Sequence, residues 1–452
     1  MNSEDEKGVT RRSFFKGTAA VASTFTIVKA EQVHGVGKAM LKLGVLGVGL
    51  RGSQAVLDTW AGNENVQLVA IGELFQDRLD KGVASLKERA PQQFEKKFKV
   101  DREHMFVGFD AYQRVLATDI DVIMICTPPA YHPQHFIAAV EAKKHIFCEK
   151  PFGTDPVNVR KLMAAAKKAE QLKLTVVSGA QRHSHRQYIE TIQKIHDGAI
   201  GEIVAAYANW AVNSGAILHL RRDVSPELKG AAVRDPKWTD MEFQHRNWYE
   251  FIWICGDQVV EQNVHNIDVI NWAMGTHPVS ALASGGVAWR PHTEAYGNIY
   301  DHNVCVFEYP NGALMTSHGR QYPPSTFPRD VNELVIGTKG RSNCHDMSQA
   351  RVVDSDFKQG ELSPYIQEHI DLVDSILGRR PYINQGIQVA ESTLTGIMAR
   401  ESAYTGMQIT WDMIMKSQQD LFPKVLDMNA KIDVPPIPVP GEYKFQPVSF
   451  TG

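Results

Sequence analysis

The sequence predicts a doubly wound α/β domain followed by an α+β domain built on a large, mostly antiparallel sheet. Three observations carry this. From Leu41 to about Pro151, strand-like apolar runs alternate with helix-like stretches, the pattern of a parallel sheet with helices on its faces. After about Ser178 the segments read mainly as strands, with two late helices. The length of 452 residues corresponds to two or three domains at roughly 150 residues each.

The elements follow in chain order. Thr10-Arg11-Arg12-Ser13-Phe14-Phe15-Lys16 precedes a weakly apolar run from Gly17 to Val28. This resembles a twin-arginine export signal, so residues 1–35 are set apart from the fold and a periplasmic or otherwise exported location is expected. Residues 40–177 form the first domain. Leu43–Leu46 and Val66–Ile71 read as strands, as do Val122–Cys126 and His145–Cys148. The last two are continuous apolar runs, expected of strands buried on both faces. Helices are expected over Phe136–Ala142 and Asp155–Leu172. Residues 178–410 form the second domain. Its strands read Ile203–Val212, Val279–Trp289, Asn303–Tyr309, Ala313–His318 and Glu333–Ile336, with a hairpin at Pro310-Asn311-Gly312. Asn-Gly there predicts a type I′ turn. Gln367–Leu377 and Gln388–Thr405 read as helices. Residues 411–452 are a C-terminal tail whose Pro-rich stretch, Val434–Pro440, is expected to wrap the surface.

Composition excludes several classes. The chain is 43% hydrophobic and 22% charged, with net charge −3, Gly 34 and Pro 22, unlike disordered or collagen-like chains. It has no basic excess, which argues against nucleic acid as its partner. No apolar run approaches the ~20 residues that span a bilayer. The five cysteines are odd in number and contain no C-x-x-C pair; they read as buried thiols. His183 with His185, or Cys344 with His345, lacks the four-ligand spacing of zinc sites, so no metal is expected.

Four motifs carry chemistry. Gly47-Val48-Gly49-Leu50-Arg51-Gly52 follows a strand and opens a helix. There Gly47 permits a tight turn, Gly49 lets backbone approach a pyrophosphate, and Gly52 packs helix on strand. Glu73, 21 residues after Gly52, is placed to accept hydrogen bonds from a ribose 2′-hydroxyl. It would repel a 2′-phosphate, which favours NAD over NADP. The second motif, Cys126-Thr127-Pro128-Pro129-Ala130-Tyr131-His132, lies at the carboxyl edge of the sheet. Thr127, Pro128 and His132 are candidates for the cofactor's nicotinamide end, whereas His135 is expected on the helix surface. The third is Glu149-Lys150-Pro151, where a lysine at a strand end can hold a substrate hydroxyl and stabilise a developing alkoxide. The fourth runs from Cys255 to Asp268. Glu261, His265 and Asp268 are spaced i, i+4, i+7 and share one face of a helix. A histidine flanked by carboxylates is expected to have a raised pKa.

In this order and spacing, the four motifs resemble the Gfo/Idh/MocA family, over nearly all of Leu41 to about Thr410. The resemblance implies a Rossmann domain, a second domain with a large, mostly antiparallel sheet, and oxidation or reduction of sugars and cyclitols with NAD(P). It matches Lys150 to the family's E-K-P lysine, and Glu261 and His265 to its Asp and His, so Lys150, His265 and Glu261 are the catalytic candidates. Glu149 and Arg182 are candidate cofactor contacts, Arg182 lying where the family has an Arg pair whose second member is His183 here. His183, Asn263 and Asp268 are candidate substrate contacts, Asn263 replacing a family Gly and expected to project into the sugar pocket. A homo-oligomer is also implied. Because an exported dehydrogenase meets little NAD, the cofactor is expected to be tightly bound. Two other readings use the same fold. One is a redox glycosidase resembling NAD-dependent α-N-acetylgalactosaminidases; these depart from E-K-P, so Lys150 favours a dehydrogenase. The other is a sensor without turnover, against which Lys150, Glu261 and His265 argue.

Overall fold

The computed structural model describes residues 40–213, 234–322, 329–347 and 361–445. The segment expected to be an export signal, residues 1–35, lies outside them. Six parallel strands form the first sheet: β1 (Leu41–Leu46), β2 (Val66–Glu73), β3 (Met105–Val107), β4 (Val122–Ile125), β5 (His145–Cys148) and β6 (Val176–Ser178). Their order is β3-β2-β1-β4-β5-β6. The order reverses between β1 and β4, and open α/β sheets bind ligands beyond the carboxyl ends at such a switch point. All four residues of β4 are buried, which explains its uninterrupted apolar run. The three-residue strands β3 and β6 are too short to leave a periodic signal.

Helix α1 (Leu50–Gly62) follows β1. Its carboxyl end is capped by Lys97, whose buried Nζ donates to the carbonyls of Trp60 (2.7 Å) and Asn63 (2.6 Å). A cation there suits the negative pole of the helix. Helix α2 (Pro156–Gln171) starts with proline, and the Asp155 carboxylate accepts from the Asn158 N–H at 2.9 Å, the expected capping chemistry.

The second sheet has seven strands in the order β12-β11-β7-β10-β9-β8-β13. They are β7 (Ile203–Asn213), β8 (Ser280–Gly286), β9 (His302–Glu308), β10 (Leu314–Tyr322), β11 (Asp330–Gly337), β12 (Arg341–Ser342) and β13 (Ile409–Thr410). Every neighbouring pair is antiparallel except β7 with β10. Helices α3 (Val264–Met274) and α5 (Gly386–Thr405) pack on its inner face, and one core continues from there to a face of the first sheet. The β9–β10 turn is not type I′. Of its residues only Gly312 has positive φ, at 81°, and the Gly312 N–H bonds the Tyr309 carbonyl at 2.9 Å. Pro310 holds φ negative, which selects a type I turn closed by a glycine bulge.

Helix α4 (Pro364–Ile376) returns to the first sheet. Leu372, Val373 and Ile376 share a core with Leu43, Val45 and Val66. The Pro-rich tail is tied to the second domain: Asn298 and Tyr300 donate to the carbonyls of Pro435 (3.3 Å) and Pro438 (2.7 Å). All five cysteines are unpaired and four are buried. Among the described residues no helix is long and apolar enough to cross a membrane.

Candidate active site

A cavity of about 1030 Å³ opens at the switch point between the sheets. The glycine loop forms one wall, and each glycine answers a different constraint. Gly47 has φ of 80°, and a Cβ on it would stand 2.7 Å from the Cys126 carbonyl oxygen. A Cβ on Gly52 would stand 1.9 Å from the Gly47 carbonyl oxygen. Gly49 faces open space. It also caps α1 without any side-chain hydrogen bond, so the positive pole of the helix is presented to the cavity. Leu50, Thr127 and Pro128 line the same wall. This is a cradle fit for a pyrophosphate.

Glu73 ends β2 beside the loop. Its carboxylate accepts from the Val48 N–H (2.9 Å) and the Leu74 N–H (2.7 Å), which fixes it at the ribose end. This end is roofed by residues 238–250, which the sequence did not single out. Arg246 bonds both carboxylate oxygens of Asp77 (2.9 and 3.3 Å) and Glu242 (2.8 Å). Its guanidinium lies over the rings of Phe75 (4.1 Å) and Trp238 (5.2 Å).

At the other end, Lys150 donates to the Glu261 carboxylate (2.9 Å) and to its main-chain carbonyl (2.5 Å). Burial pushes the Glu261 pKa up, and Lys150 opposes it. Glu261 sits in a π-helical turn, Val259–Asn263, that runs into α3. The i, i+4 pair holds across the turn, but the i+7 position leaves the wall within α3. Glu261, Gln262 and His265 line the cavity, whereas Asp268 faces away. The histidine therefore differs from expectation. It makes no hydrogen bond with Glu261 or Asp268 among the described residues. Burial holds its pKa well below the ordinary imidazole value, and the cations Lys150, Arg182 and Arg51 act in the same direction. The expected raised pKa required flanking carboxylates that are engaged elsewhere.

Several other candidates serve as structure. His183 and Asp268 form a buried pair, 2.6 Å apart, and Asp268 also accepts from Ser392 at 2.7 Å. Asn263 does not project into the cavity. It lies on β10, bonded to Ser317 at 3.3 Å, where Gly319 leaves room for it. Arg182 is buried behind the cavity wall, 3.4 Å from Glu333. Arg51 and Glu149 line the cavity but bond each other at 2.5 Å, with Glu368 3.0 Å from the same guanidinium. His132 spans the carbonyls of Thr127 and Pro151, 2.6 Å from each, and so ties the second and third motifs together. His135 is not on the surface. It is buried, 3.1 Å from Thr127 Oγ1, with its pKa pushed down by burial to about 3. Trp210, Trp248, Tyr131 and His245 also line the cavity. Tyr131 belongs to the second motif; the other three come from distant segments, so no local spacing announces them. Among the described residues no cluster could hold a metal ion.

Residues 41–178 match the family model GFO_IDH_MocA, described as an oxidoreductase family with an NAD-binding Rossmann fold. The chain is similar to myo-inositol 2-dehydrogenase of Thermotoga maritima, 21% identical over 327 residues, covering 72% of this chain and 81% of that protein. It is also similar to scyllo-inositol 2-dehydrogenase (NAD(+)) of Bacillus subtilis, 24% identical over 231 residues, covering 51% and 57%. Among solved structures, scyllo-inositol dehydrogenase from Lactobacillus casei with bound NAD(H) and scyllo-inositol superposes with TM-score 0.59. That match has 16% identity and covers 82% of this chain and 99% of the other.

Proposed function

From the match of residues 41–178 to the Gfo/Idh/MocA oxidoreductase model, we propose that the chain oxidises a secondary hydroxyl of a sugar, glycoside or cyclitol. The observation that carries this is the meeting of Lys150, Glu261 and His265 in the cavity that the glycine loop opens into. The inositol substrates of the relatives support a cyclic polyol.

A nicotinamide dinucleotide bound along Gly47, Gly49 and Glu73 supplies the hydride acceptor. Glu73 favours NAD over NADP. His265, neutral in its buried setting, accepts the proton of the substrate hydroxyl. Lys150, anchored by Glu261, donates a hydrogen bond to the same oxygen and stabilises negative charge there. The carbon loses hydride, the oxygen loses its proton, and a ketone remains. A base must be unprotonated to act, so a depressed pKa moves its acid limb to lower pH. The limb of kcat/KM is expected below about pH 6.5, the ordinary imidazole value. A limb above that value would remove His265 as the base.

Tight cofactor retention belongs to this reading and is supported by the Arg246–Asp77 ion pair over the ribose end. Arg246→Ala should lower the dinucleotide content of the purified protein and speed its exchange at least tenfold. Retention equal to wild type would show that the roof is no barrier. Export by the twin-arginine route is supported by Arg11-Arg12; Arg11→Lys with Arg12→Lys should leave the protein in the cytoplasmic fraction. A homo-oligomer is supported by the outer face of the second sheet, where Leu282, Val304, Val306, Tyr207 and Leu314 are exposed. Such a contiguous apolar face is usually covered. Leu282→Glu should reduce the mass seen by sedimentation; an unchanged mass would place any contact elsewhere.

The decisive experiment uses purified protein with no added cofactor. Hexoses, glycosides and inositols are added in turn, and reduced-nicotinamide absorbance is followed with product analysis. A substrate-dependent rise is expected. Release of an aglycone without that rise would move the assignment to a redox glycosidase.

A further inference from the structure

A histidine base usually has its ring held by a carboxylate or a backbone carbonyl. His265 has no such partner in the described structure. What it has instead is Trp210. The imidazole and the indole are stacked, with ring centroids 5.4 Å apart and planes 22° from parallel. Both side chains line the cavity.

The arrangement is built, in three steps. Trp210 lies on the inner face of β7, opposite Gly319 of β10 and Val331 of β11. It packs on the small core of Val212, Tyr249, Cys255, Ile299 and Val331, which locks the indole. Gly319 then provides a gap on β10. A Cβ at Gly319 would come within 2.4 Å of the Asn263 amide, so the π-helical turn can lie down on the sheet only there. That contact brings His265, two residues beyond Asn263, alongside Trp210.

The charges around His265 make the indole matter. Lys150 from the end of β5, Arg182 from the turn after β6, and Arg51 from α1 all disfavour a second positive charge. Glu261 is the carboxylate on the same wall, and Lys150 occupies it. When His265 takes a proton, the aromatic face of Trp210 is the group in contact that favours the resulting cation.

We propose that Trp210 is the positioning residue for His265, orienting the imidazole by stacking and stabilising its protonated form. The proposal rests on His265 being the base. Removing the indole leaves the ring free to turn and lowers its proton affinity.

Trp210→Leu, Trp210→Phe and His265→Ala would each be compared with wild type for kcat, dinucleotide affinity and the pH profile of kcat/KM. Trp210→Leu is expected to lower kcat at least tenfold and to move the acid limb down by about one pH unit. Dinucleotide affinity should stay within about twofold, which also reports that the variant is folded. Trp210→Phe keeps a smaller ring and should recover part of both losses. His265→Ala should abolish the limb. If it does, but Trp210→Leu leaves limb and kcat within twofold of wild type, the role of Trp210 is refuted and the base assignment stands. If His265→Ala keeps the limb, the base assignment itself is wrong and the proposal falls with it. Should Trp210→Leu fail to fold, the Trp210→Phe limb decides: an unmoved limb with unchanged kcat overturns the proposal.

Discussion

Lys150→Met is expected to lower kcat/KM for the sugar about 10²–10³-fold, the loss seen when one preorganised donor to a developing oxyanion is removed. Dinucleotide affinity should change little, because the glycine loop and Glu73 are untouched. Methionine matches the length of the lysine stem but offers no donor, so the cavity keeps its shape. The substitution has a second effect. It strands Glu261, which is almost fully buried, and breaking a buried pair from one side costs about 3–5 kcal/mol. Glu261 can reduce that cost by taking up a proton, since burial already raises its pKa. A carboxyl with a raised folded pKa contributes stability at low pH that is lost as pH rises through that pKa. The variant's Tm deficit should therefore be smallest under acid conditions and grow with pH. A deficit independent of pH, with kcat/KM near wild type, would mean that Lys150 and Glu261 are neither paired nor catalytic.

The second large effect separates fold from function within one loop. Gly52→Val and Gly49→Val change the same motif, three residues apart, but should fail in different ways. At Gly52 any Cβ meets the Gly47 carbonyl oxygen, a backbone atom with nowhere to go. The turn between β1 and α1 must open, so the variant should lose several degrees of Tm without cofactor and be expressed poorly. At Gly49, which lines the cavity, a Cβ meets no atom within 4 Å. That variant should melt like wild type when empty and fail to bind dinucleotide, with at least about a hundredfold loss of affinity, because the valine occupies the space in which backbone approaches the pyrophosphate. Calorimetry with and without NAD distinguishes the two. Cofactor binding by Gly49→Val at wild-type strength would show that the pyrophosphate does not lie on this loop.

The first sheet was largely legible because its signals are local. A buried parallel strand is a continuous apolar run, and the glycines obey a backbone geometry that tolerates few substitutes. The second sheet was legible as strands, since β8 to β11 alternate. The type of the β9–β10 turn was misread because Pro310 overrode the Asn-Gly signal. In the site, Gly47, Gly49, Glu73, Lys150, Glu261 and His265 line the cavity where fixed offsets from a strand end or helix put them. His183, Asn263 and Asp268 do not line it. Asn263, in the π-helical turn, packs onto β10, and Asp268 within α3 pairs with His183 and Ser392 instead, and composition gives no sign of either. The roof over the ribose end was invisible for a different reason: Arg246 meets Asp77 across 169 residues, and sequence spacing carries no information at that range.

The return of α4 to the first sheet has a consequence for biogenesis. β6 ends at Ser178, and α4 begins only at Pro364. During synthesis the face of the parallel sheet that Leu372, Val373 and Ile376 share with α1 therefore emerges only partly covered, and it stays so until the last fifth of the chain leaves the ribosome. Arg51 likewise waits for Glu368. The dinucleotide-binding domain is then not a unit that can be excised: residues 40–178 alone should aggregate, and a soluble, cooperatively melting fragment would refute this. The delay acts as a checkpoint on cofactor binding. The cavity is not finished, and cannot hold a dinucleotide firmly, until nearly the whole chain has been made.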